Sequence, residues 1–326
     1  MQLKTIITKR QYETHNSNHL VYEWENDFLH LSSCAFFYEK KIFSYVATRR
    51  FNYLRYLLLP NTLSFVFEMI PTIIRRRYNK PNIIPCIIDF FLTEKELKGF
   101  EKEYSKNPIV LISSKEAYTF LQQHNCKLPI AHFPLSISDR IINNSKIKWK
   151  QRKYDIGYLG RPNPVLLNYL NILSDKHKDI SYFYGTHDSK GKIGYIDNTG
   201  EFFTCESRKE YLHLMQSCRI GLYATSGMDK DRLDTNGFHH VTPRFLEYLS
   251  CGCHVVCRWE DNPDTEFFGL NKFASNITSY EIFSNEIFQK LSSPPDESMQ
   301  ENYVRQHSTS KRFEDLSMLI DSKQRS

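Results

Sequence analysis

Residues 154–164 read YDIGYLGRPNP, and their order determines how the second half of the chain is interpreted. The apolar positions predict a strand over 154–159 that ends at Gly160, and Pro164 is typical of the first position of a helix. A helix that begins directly after a strand offers unpaired N–H groups and partial positive charge to an anion. Arg161 would add a charged contact to a phosphate group. The alternative is an ordinary strand–helix turn with a solvated arginine.

A second informative segment, HHVTPRFLEYLSCGCHVV, covers residues 239–256. It predicts an apolar packing helix over 243–249 with Thr242 as its N-cap. Glu247 is the acidic residue of this helix, and a carboxylate there can accept hydrogen bonds from two ribose hydroxyls, as acidic residues do in dinucleotide sites. The alternative is a salt bridge to Arg244, three residues earlier on the same face.

Upstream of these segments the chain alternates between buried-strand and helix patterns. Such a βαβαβ rhythm predicts a parallel sheet with crossover helices. The predicted strands cover 83–89, 108–113 and 128–133, and the predicted helices cover 93–104 and 114–124, the latter capped by Ser114.

A polar and basic segment, residues 140–153, is interpreted as a linker, after which a second series begins. Its predicted strands cover 154–159, 180–184, 219–224 and 254–259, and its helices 164–173, 207–217, 243–249, 280–291 and 299–320. The fold class is therefore α/β, with two Rossmann-like doubly wound parallel-sheet domains facing a cleft. The predicted boundaries are 1–145 for the first domain, 146–305 for the second, and 306–326 for a helix that packs back on the first.

Charge and glycine are distributed unevenly between the halves. Residues 1–150 carry 22 Lys/Arg and 13 Asp/Glu, a balance of +9, whereas residues 151–326 carry 21 and 24, a balance of −3. Gly99 is the single glycine of the first 150 residues, and the other eleven begin at Gly157. Because turns against bound phosphate need glycine, a nucleotide site is expected in the second half. The basic first half is expected to bind an anionic partner.

The overall composition narrows the class of protein. Charged residues make up 25% and hydrophobic residues 40%, which is ordinary for a globular protein and excludes a disordered or coiled-coil chain. No apolar run reaches the length of about 18 residues that a membrane-spanning helix needs. The first twenty residues lack the apolar region and cleavage site of a secretory signal, so a cytoplasmic location and eight reduced cysteines are expected.

Four segments together resemble a known family. GYLGRPNP, YFYG, CRIGLYATSG and TPRFLEYLSCGCHVV follow one another as in the nucleotide-binding domain of GT-B-fold glycosyltransferases. The resemblance is to the bacterial "glycosyl transferases group 1" clan, which builds capsule, lipopolysaccharide and related glycans. The segment PIVLISSKEAYTFLQQ, residues 108–123, is similar to the first domain of that clan, and the resemblance covers about residues 82–320.

The resemblance implies a set of donor-binding residues. Glu247 would hold the ribose, Gly160 and Arg161 would face the diphosphate, and Thr242 and Arg244 would open the helix whose N-terminus meets the phosphates. Gly185 and Tyr223, in the second and third segments, complete the set.

Two departures from the clan put retention of anomeric configuration in doubt. The position eight before Glu247 is His239 instead of the glutamate of the clan's E-x7-E pair. No lysine follows Arg161 before Lys176. Phosphate binding therefore depends more on Arg161, Arg244 and the helix end, and His239 has either a cationic or donor role beside the diphosphate or a structural role.

Two patterns raise the question of a metal site. Asp229 and Asp231 form a DxD, a metal-binding signature of the other large glycosyltransferase fold, although a solvated loop is the alternative. Zinc binding by Cys251, Cys253 and Cys257 with His254 is the other candidate, but these residues alternate along a buried strand, as packing residues do. No metal and no cofactor are expected, since the nucleotide-sugar would be the substrate.

The basic half contains a candidate membrane segment. Residues 53–80 are apolar and aromatic and end in Arg75, Arg76 and Arg77, which would contact anionic headgroups at the inner face of the plasma membrane. The alternative is a core helix with a solvated basic end. No nucleic-acid-binding motif accompanies the charge, so nucleic acid is not an expected partner.

The expected function is transfer of a sugar from a nucleotide-sugar donor to a glycan or lipid-linked acceptor in surface polysaccharide synthesis. The chemistry needs charge stabilisation of the leaving diphosphate, for which Arg161 and His239 are candidates. It also needs a base for the acceptor hydroxyl, for which Asp27, His30 and Asp89 are candidates. Asp89 completes the predicted catalytic set with Arg161 and His239. The alternative is a catalytically silent binding or assembly protein of the same fold.

Overall fold

The computed structural model describes residues 2–13, 18–39, 45–58, 61–71, 77–187 and 193–325. The chain divides into two compact units. Unit 1 comprises residues 1–139 and 307–326, and unit 2 comprises residues 140–306. Within the described ranges, no helix has both the length and the apolar character needed to cross a bilayer.

Unit 1 is built on a parallel sheet of six strands with the order β2-β1-β3-β4-β5-β6. The strand–helix series predicted between residues 83 and 133 is confirmed, and Ser114 caps its helix by accepting the N–H of Ala117. The elements are β1 (Gln2–Thr8), α1 (Asn18–Leu31), β2 (Ala35–Tyr38), α2 (Tyr45–Leu58), β3 (Thr62–Glu68), β4 (Ile83–Ile87), α3 (Leu97–Tyr104), β5 (Val110–Ile112), α4 (Lys115–Gln123) and β6 (Ile130–His132).

The core of unit 1 is aromatic, and the C-terminal helix contributes to it. Phe28 of α1 packs against Phe65 and Phe67 of β3 with ring centroids 5.4 and 5.8 Å apart. The ring of Phe313, in α12 (Thr309–Arg325), lies edge-on to Phe28 at 5.3 Å. Residues 307–326 therefore complete the core that residues 1–139 begin.

The prediction of one helix over 299–320 is wrong. The structure has two helices, α11 (Glu297–Gln306) and α12, separated at His307 and Ser308. At the break the backbone leaves the helical path to pair with Ile137, whose N–H donates to the His307 carbonyl at 2.9 Å. The Thr309 N–H donates back to the Ile137 carbonyl at 3.0 Å. Pairing with a distant segment thus replaces local helical hydrogen bonding at these two residues.

Unit 2 contains a second six-stranded sheet, with the order β10-β9-β8-β7-β11-β12. Strands β8, β7, β11 and β12 are parallel to one another. At one edge the sheet continues with the antiparallel strands β9 and β10, which the sequence pattern did not predict. The elements are α5 (Asp139–Ile142), β7 (Tyr154–Tyr158), α6 (Pro164–Lys176), β8 (Tyr182–His187), β9 (Ile193–Asp197), β10 (Phe202–Phe203), α7 (Arg208–Gln216), β11 (Cys218–Ala224), α8 (Arg244–Ser250), β12 (His254–Arg258), α9 (Pro263–Phe268), α10 (Tyr280–Leu291) and α11.

Residues 140–153, which were predicted to be a linker, belong to unit 2. The guanidinium of Arg152 is buried and donates to the carbonyls of Cys218 and Cys251 at 2.8 and 2.9 Å. A buried arginine that satisfies backbone carbonyls ties this segment to the sheet. The two sheets, each covered by helices, confirm the predicted α/β fold class.

Candidate functional site

The candidate site lies at the carboxyl edge of the unit 2 sheet. From β7 the chain proceeds to β8 on one side, and β11 pairs with β7 on the other side. This change of direction is a topological switch point, where doubly wound sheets bind ligands at the carboxyl ends of their strands. The loops that follow β7 and β11 carry most of the residues predicted from the sequence.

Two glycines and one arginine meet at this edge. Gly160 has φ +75°, and a Cβ placed on it would lie 2.2 Å from Nη2 of Arg244. A Cβ on Gly185 would lie 2.0 Å from the Gly160 carbonyl oxygen. The Arg244 guanidinium therefore packs on the bare backbone of Gly160, and β8 runs directly beneath that turn. These three predicted residues come together, and glycine is required at both positions.

Arg244 is a half-buried cation whose Nε donor is buried and unused. Burial alone lowers its pKa, but the neighbouring Tyr211, Tyr248, Tyr158 and Glu247 outweigh that effect, so the pKa lies above its usual value. The Tyr211 hydroxyl lies close enough to the guanidinium to interact with it electrostatically. Among the residues that the structure describes, Arg244 Nε has no hydrogen-bond partner. A buried, charged donor that lacks an acceptor can bind an anion.

Tyrosine hydroxyls fix the backbone around this arginine. Tyr248 accepts the Leu159 N–H at 3.0 Å and donates to the Gly157 carbonyl at 3.1 Å. Tyr158 accepts the Asn163 N–H at 2.6 Å. The β7–α6 turn is thus held in place before any ligand binds, which lowers the ordering cost of binding.

The start of α8 differs from the sequence prediction. The helix begins at Arg244, and Pro243 occupies the N-cap position without a side-chain cap, so the prediction of Thr242 as N-cap is wrong. The reason is that the Thr242 N–H donates to the hydroxyl of Tyr223 at 2.8 Å, which anchors the backbone one residue earlier. Tyr223 itself is fully buried and braces this turn.

Glu247 has a partner that the sequence did not reveal. Its side chain is 5% exposed and forms an ion pair through Oε1 with Arg208, the first residue of α7. The sequence predicted either the ribose hydroxyls or Arg244 as the partner of Glu247, and it did not predict Arg208. The two residues are 39 positions apart in the chain, and no motif connects them.

The DxD of the β11–α8 loop anchors the loop. Asp229 accepts two hydrogen bonds from Arg258, at 2.6 and 2.7 Å, and one from Nδ2 of Asn163 at 2.9 Å. Mainly because Arg258 donates to it, the pKa of Asp229 is lowered. For Asp231, burial raises the pKa. The first carboxylate is therefore fully engaged by protein groups.

Metal ligation finds no support in the described part of the chain, where no three His, Cys, Asp or Glu groups are arranged to hold an ion. Cys251, Cys253 and Cys257 are buried free thiols. The nearby His254 directs Nε2 to the Ser293 carbonyl at 2.9 Å.

The remaining predicted residues are dispersed. Arg161 is exposed on the same turn as Gly160, and its charge offsets part of the rise that burial causes in the pKa of Asp231. His239 places Nε2 3.1 Å from Glu260 Oε2 and Nδ1 3.2 Å from the Ser226 carbonyl. Asp89 is in unit 1, half-buried just beyond β4.

Of the predicted membrane-contact residues, Arg75 and Arg76 lie outside the described residues. The side chain of Arg77 is 11% exposed and forms an ion pair with Glu39. Tyr12 and Tyr78 donate to the same carboxylate at 2.7 and 2.6 Å. This cluster gives Arg77 a structural role inside unit 1.

Comparison with known proteins supports the fold. No protein-family model and no curated protein matches the sequence. Among solved structures, the chain is similar to the glycotransferase of kitacinnamycin, with a TM-score of 0.50 and 9% identity over 99% of this chain and 98% of that chain. The likeness spans both units, and it confirms the two-domain α/β fold of the GT-B type.

Proposed function

We propose that this protein is a glycosyltransferase that moves a sugar from a nucleotide-sugar donor to a glycan or lipid-linked acceptor in surface polysaccharide synthesis. One observation carries the proposal: the half-buried Arg244 guanidinium, with its buried and unused Nε donor, packs on the Gly160 turn at the switch point of unit 2. A diphosphate is an anion whose oxygens suit such a donor. We further propose a cytoplasmic location at the inner face of the plasma membrane.

In the proposed reaction, Arg244 and the exposed Arg161 stabilise the negative charge that grows on the leaving diphosphate as the glycosidic bond breaks. The second carboxylate oxygen of Glu247 accepts from the ribose, while Oε1 stays with Arg208. A carboxylate or histidine of unit 1 (Asp27, His30 or Asp89) takes the proton of the acceptor hydroxyl. The charge is balanced by protein groups, so no divalent cation is required.

The second candidate is a silent binding protein of the same fold. The observation that favours it is the Glu247–Arg208 ion pair, which already gives the carboxylate a structural task. Such a protein would bind nucleoside diphosphates and leave nucleotide-sugars intact.

Calorimetric titration with UDP, GDP and dTDP tests the proposal. We expect one nucleoside diphosphate to bind, and we expect Arg244→Gln to weaken that binding by about ten- to a hundredfold, the usual cost of losing a hydrogen bond to a charged group. Gln is chosen because it keeps polar contact with Tyr211 without the charge. Failure of all three nucleotides to bind the folded protein would refute the donor site. Binding without hydrolysis or transfer of the matching nucleotide-sugars would favour the silent protein.

A further inference from the structure

Helix α2 presents an apolar face to solvent. Tyr53, Leu54, Leu57 and Leu58 are 51%, 55%, 54% and 78% exposed. At 100° per residue these four positions fall within an arc of about 140° on one side of the helix. Single exposed leucines are common on protein surfaces, but a continuous apolar stripe marks an interaction surface. We call these four residues and Arg50 the α2 face.

An ordinary surface helix buries its apolar side and exposes its polar side, whereas α2 does the opposite at these positions. Asn52, on the other side of α2, is buried and donates its Nδ2 hydrogen to the Arg77 carbonyl at 3.0 Å. The amide is therefore satisfied against unit 1, and this contact fixes the rotation of α2. With Asn52 inside, the leucines must point outward.

The basic residues on and beside the α2 face favour an anionic occupant: Lys80 places Nζ 5.2 Å from the centroid of the Tyr53 ring. Arg50 is exposed and falls near the middle of the arc, between the two i, i+4 pairs of apolar residues. Residues 1–150, which include α2, carry the balance of +9. A long arginine side chain can lie along an apolar surface while its guanidinium reaches an anionic headgroup. In a two-fold dimer built on this face, the central Arg50 would approach its own copy, which opposes such an interface.

We propose that the α2 face binds the headgroup region of an anionic lipid bilayer, with Leu54, Leu57 and Leu58 among the acyl chains and Arg50 on the phosphates. Four of its five residues lie in the 53–80 segment that the sequence suggested, but its basic residue is Arg50, since Arg77 is engaged with Glu39. The proposal does not depend on the proposed sugar transfer, because lipid binding needs neither donor nor acceptor. It also leaves the nucleotide site in unit 2 untouched.

Flotation with vesicles tests the proposal on the full chain. We expect the protein to float with vesicles of phosphatidylcholine and phosphatidylglycerol, and much less with phosphatidylcholine alone. The variant with Leu54→Ser, Leu57→Ser and Leu58→Ser should partition at least about tenfold less, because three leucines no longer enter the apolar layer. Arg50→Gln should reduce partition by about fivefold at low salt, the effect of one basic residue at an anionic surface.

The matched control is Met299→Ser with Met318→Ser, which removes two exposed apolar side chains on other helices and should leave flotation unchanged. Thermal unfolding checks that the triple variant is folded. Wild-type protein that ignores anionic vesicles at low salt, or a folded triple variant that floats like wild type, would overturn the proposal. Light scattering that shows a wild-type dimer and a monomeric triple variant, without vesicle binding, would assign the α2 face to a second copy and overturn it as well.

Discussion

Glu247 illustrates how a single side chain can be predicted as important while its partner is missed. Its position on an apolar helix marked it as a binding group or as one member of a salt bridge. The salt bridge exists, but with Arg208 of another helix. Sequence spacing reports neighbours on the same helix, whereas a contact over 39 positions depends on how α7 packs beside α8.

Replacing the two members of this pair separates binding from structure. Glu247→Ala should weaken nucleoside diphosphate binding by about ten- to a hundredfold, because the ribose hydroxyls lose a charged acceptor. Arg208→Ala removes the ion pair but keeps the carboxylate, so it should retain most of that affinity. Calorimetric titration of both folded variants measures the difference. If both variants lower the melting temperature and neither changes affinity, the carboxylate serves Arg208 alone.

At the level of loops and helices, Asp229 connects three segments at the carboxyl edge. Arg258 is the last residue of β12, Asn163 caps α6, and Asp229 itself lies in the β11–α8 loop. Asn163 also donates to the Met228 carbonyl at 2.9 Å. This arrangement positions the turn that carries Gly160 and Arg161 relative to the loop.

Asp229→Asn should therefore loosen the site without affecting metal dependence. We expect a loss of about 1 kcal/mol in unfolding free energy, since the ion pair is partly solvated, and a severalfold weaker nucleoside diphosphate affinity. Transfer by the wild type should survive EDTA. The matched control is Asp234→Asn, which breaks an exposed pair with Arg232 in the same loop. This variant should change neither the unfolding free energy nor the nucleoside diphosphate affinity. Activity that is lost in EDTA and restored by Mn²⁺ would contradict this role.

The pH dependence of the same variant follows from the lowered pKa of Asp229. A carboxyl group with a lower pKa in the folded state stabilises the protein above its unfolded pKa of about 3.9, and that stabilisation is lost as the pH falls through the folded value. Wild type and Asp229→Asn should thus differ in stability at neutral pH and converge below about pH 4. Denaturant unfolding at several pH values measures this convergence.

The strand–helix series was predictable, and the additions to it were not. Buried parallel strands such as β5 and β11 give short, continuous apolar runs that are visible in the sequence. The edge strands β9 and β10 are short and partly exposed, so their pattern is weak. The break between α11 and α12 arises from backbone pairing with Ile137, about 170 residues away, which no local propensity encodes.

For the chain as a whole, α12 is the element that makes unit 1 complete. Leu316 is fully buried, and α12 packs along α1. Leu316→Ala should reduce the unfolding free energy of unit 1 by about 2–5 kcal/mol. Met318→Ala, at an exposed position of the same helix, is the matched control and should cost little. Nucleoside diphosphate binding by unit 2 should persist in both variants. Its loss in Leu316→Ala would contradict the expectation that destabilising unit 1 leaves the nucleotide site of unit 2 intact.

The division of unit 1 between both ends of the chain has a consequence for synthesis on the ribosome. Residues 1–139 emerge first, yet the helix that covers α1 emerges only after all of unit 2. The core of unit 1 therefore stays incomplete, with apolar surface of α1 uncovered, until all of unit 2 has been translated. During that interval a chaperone that shields α1 would matter more to this protein than to one whose domains are contiguous.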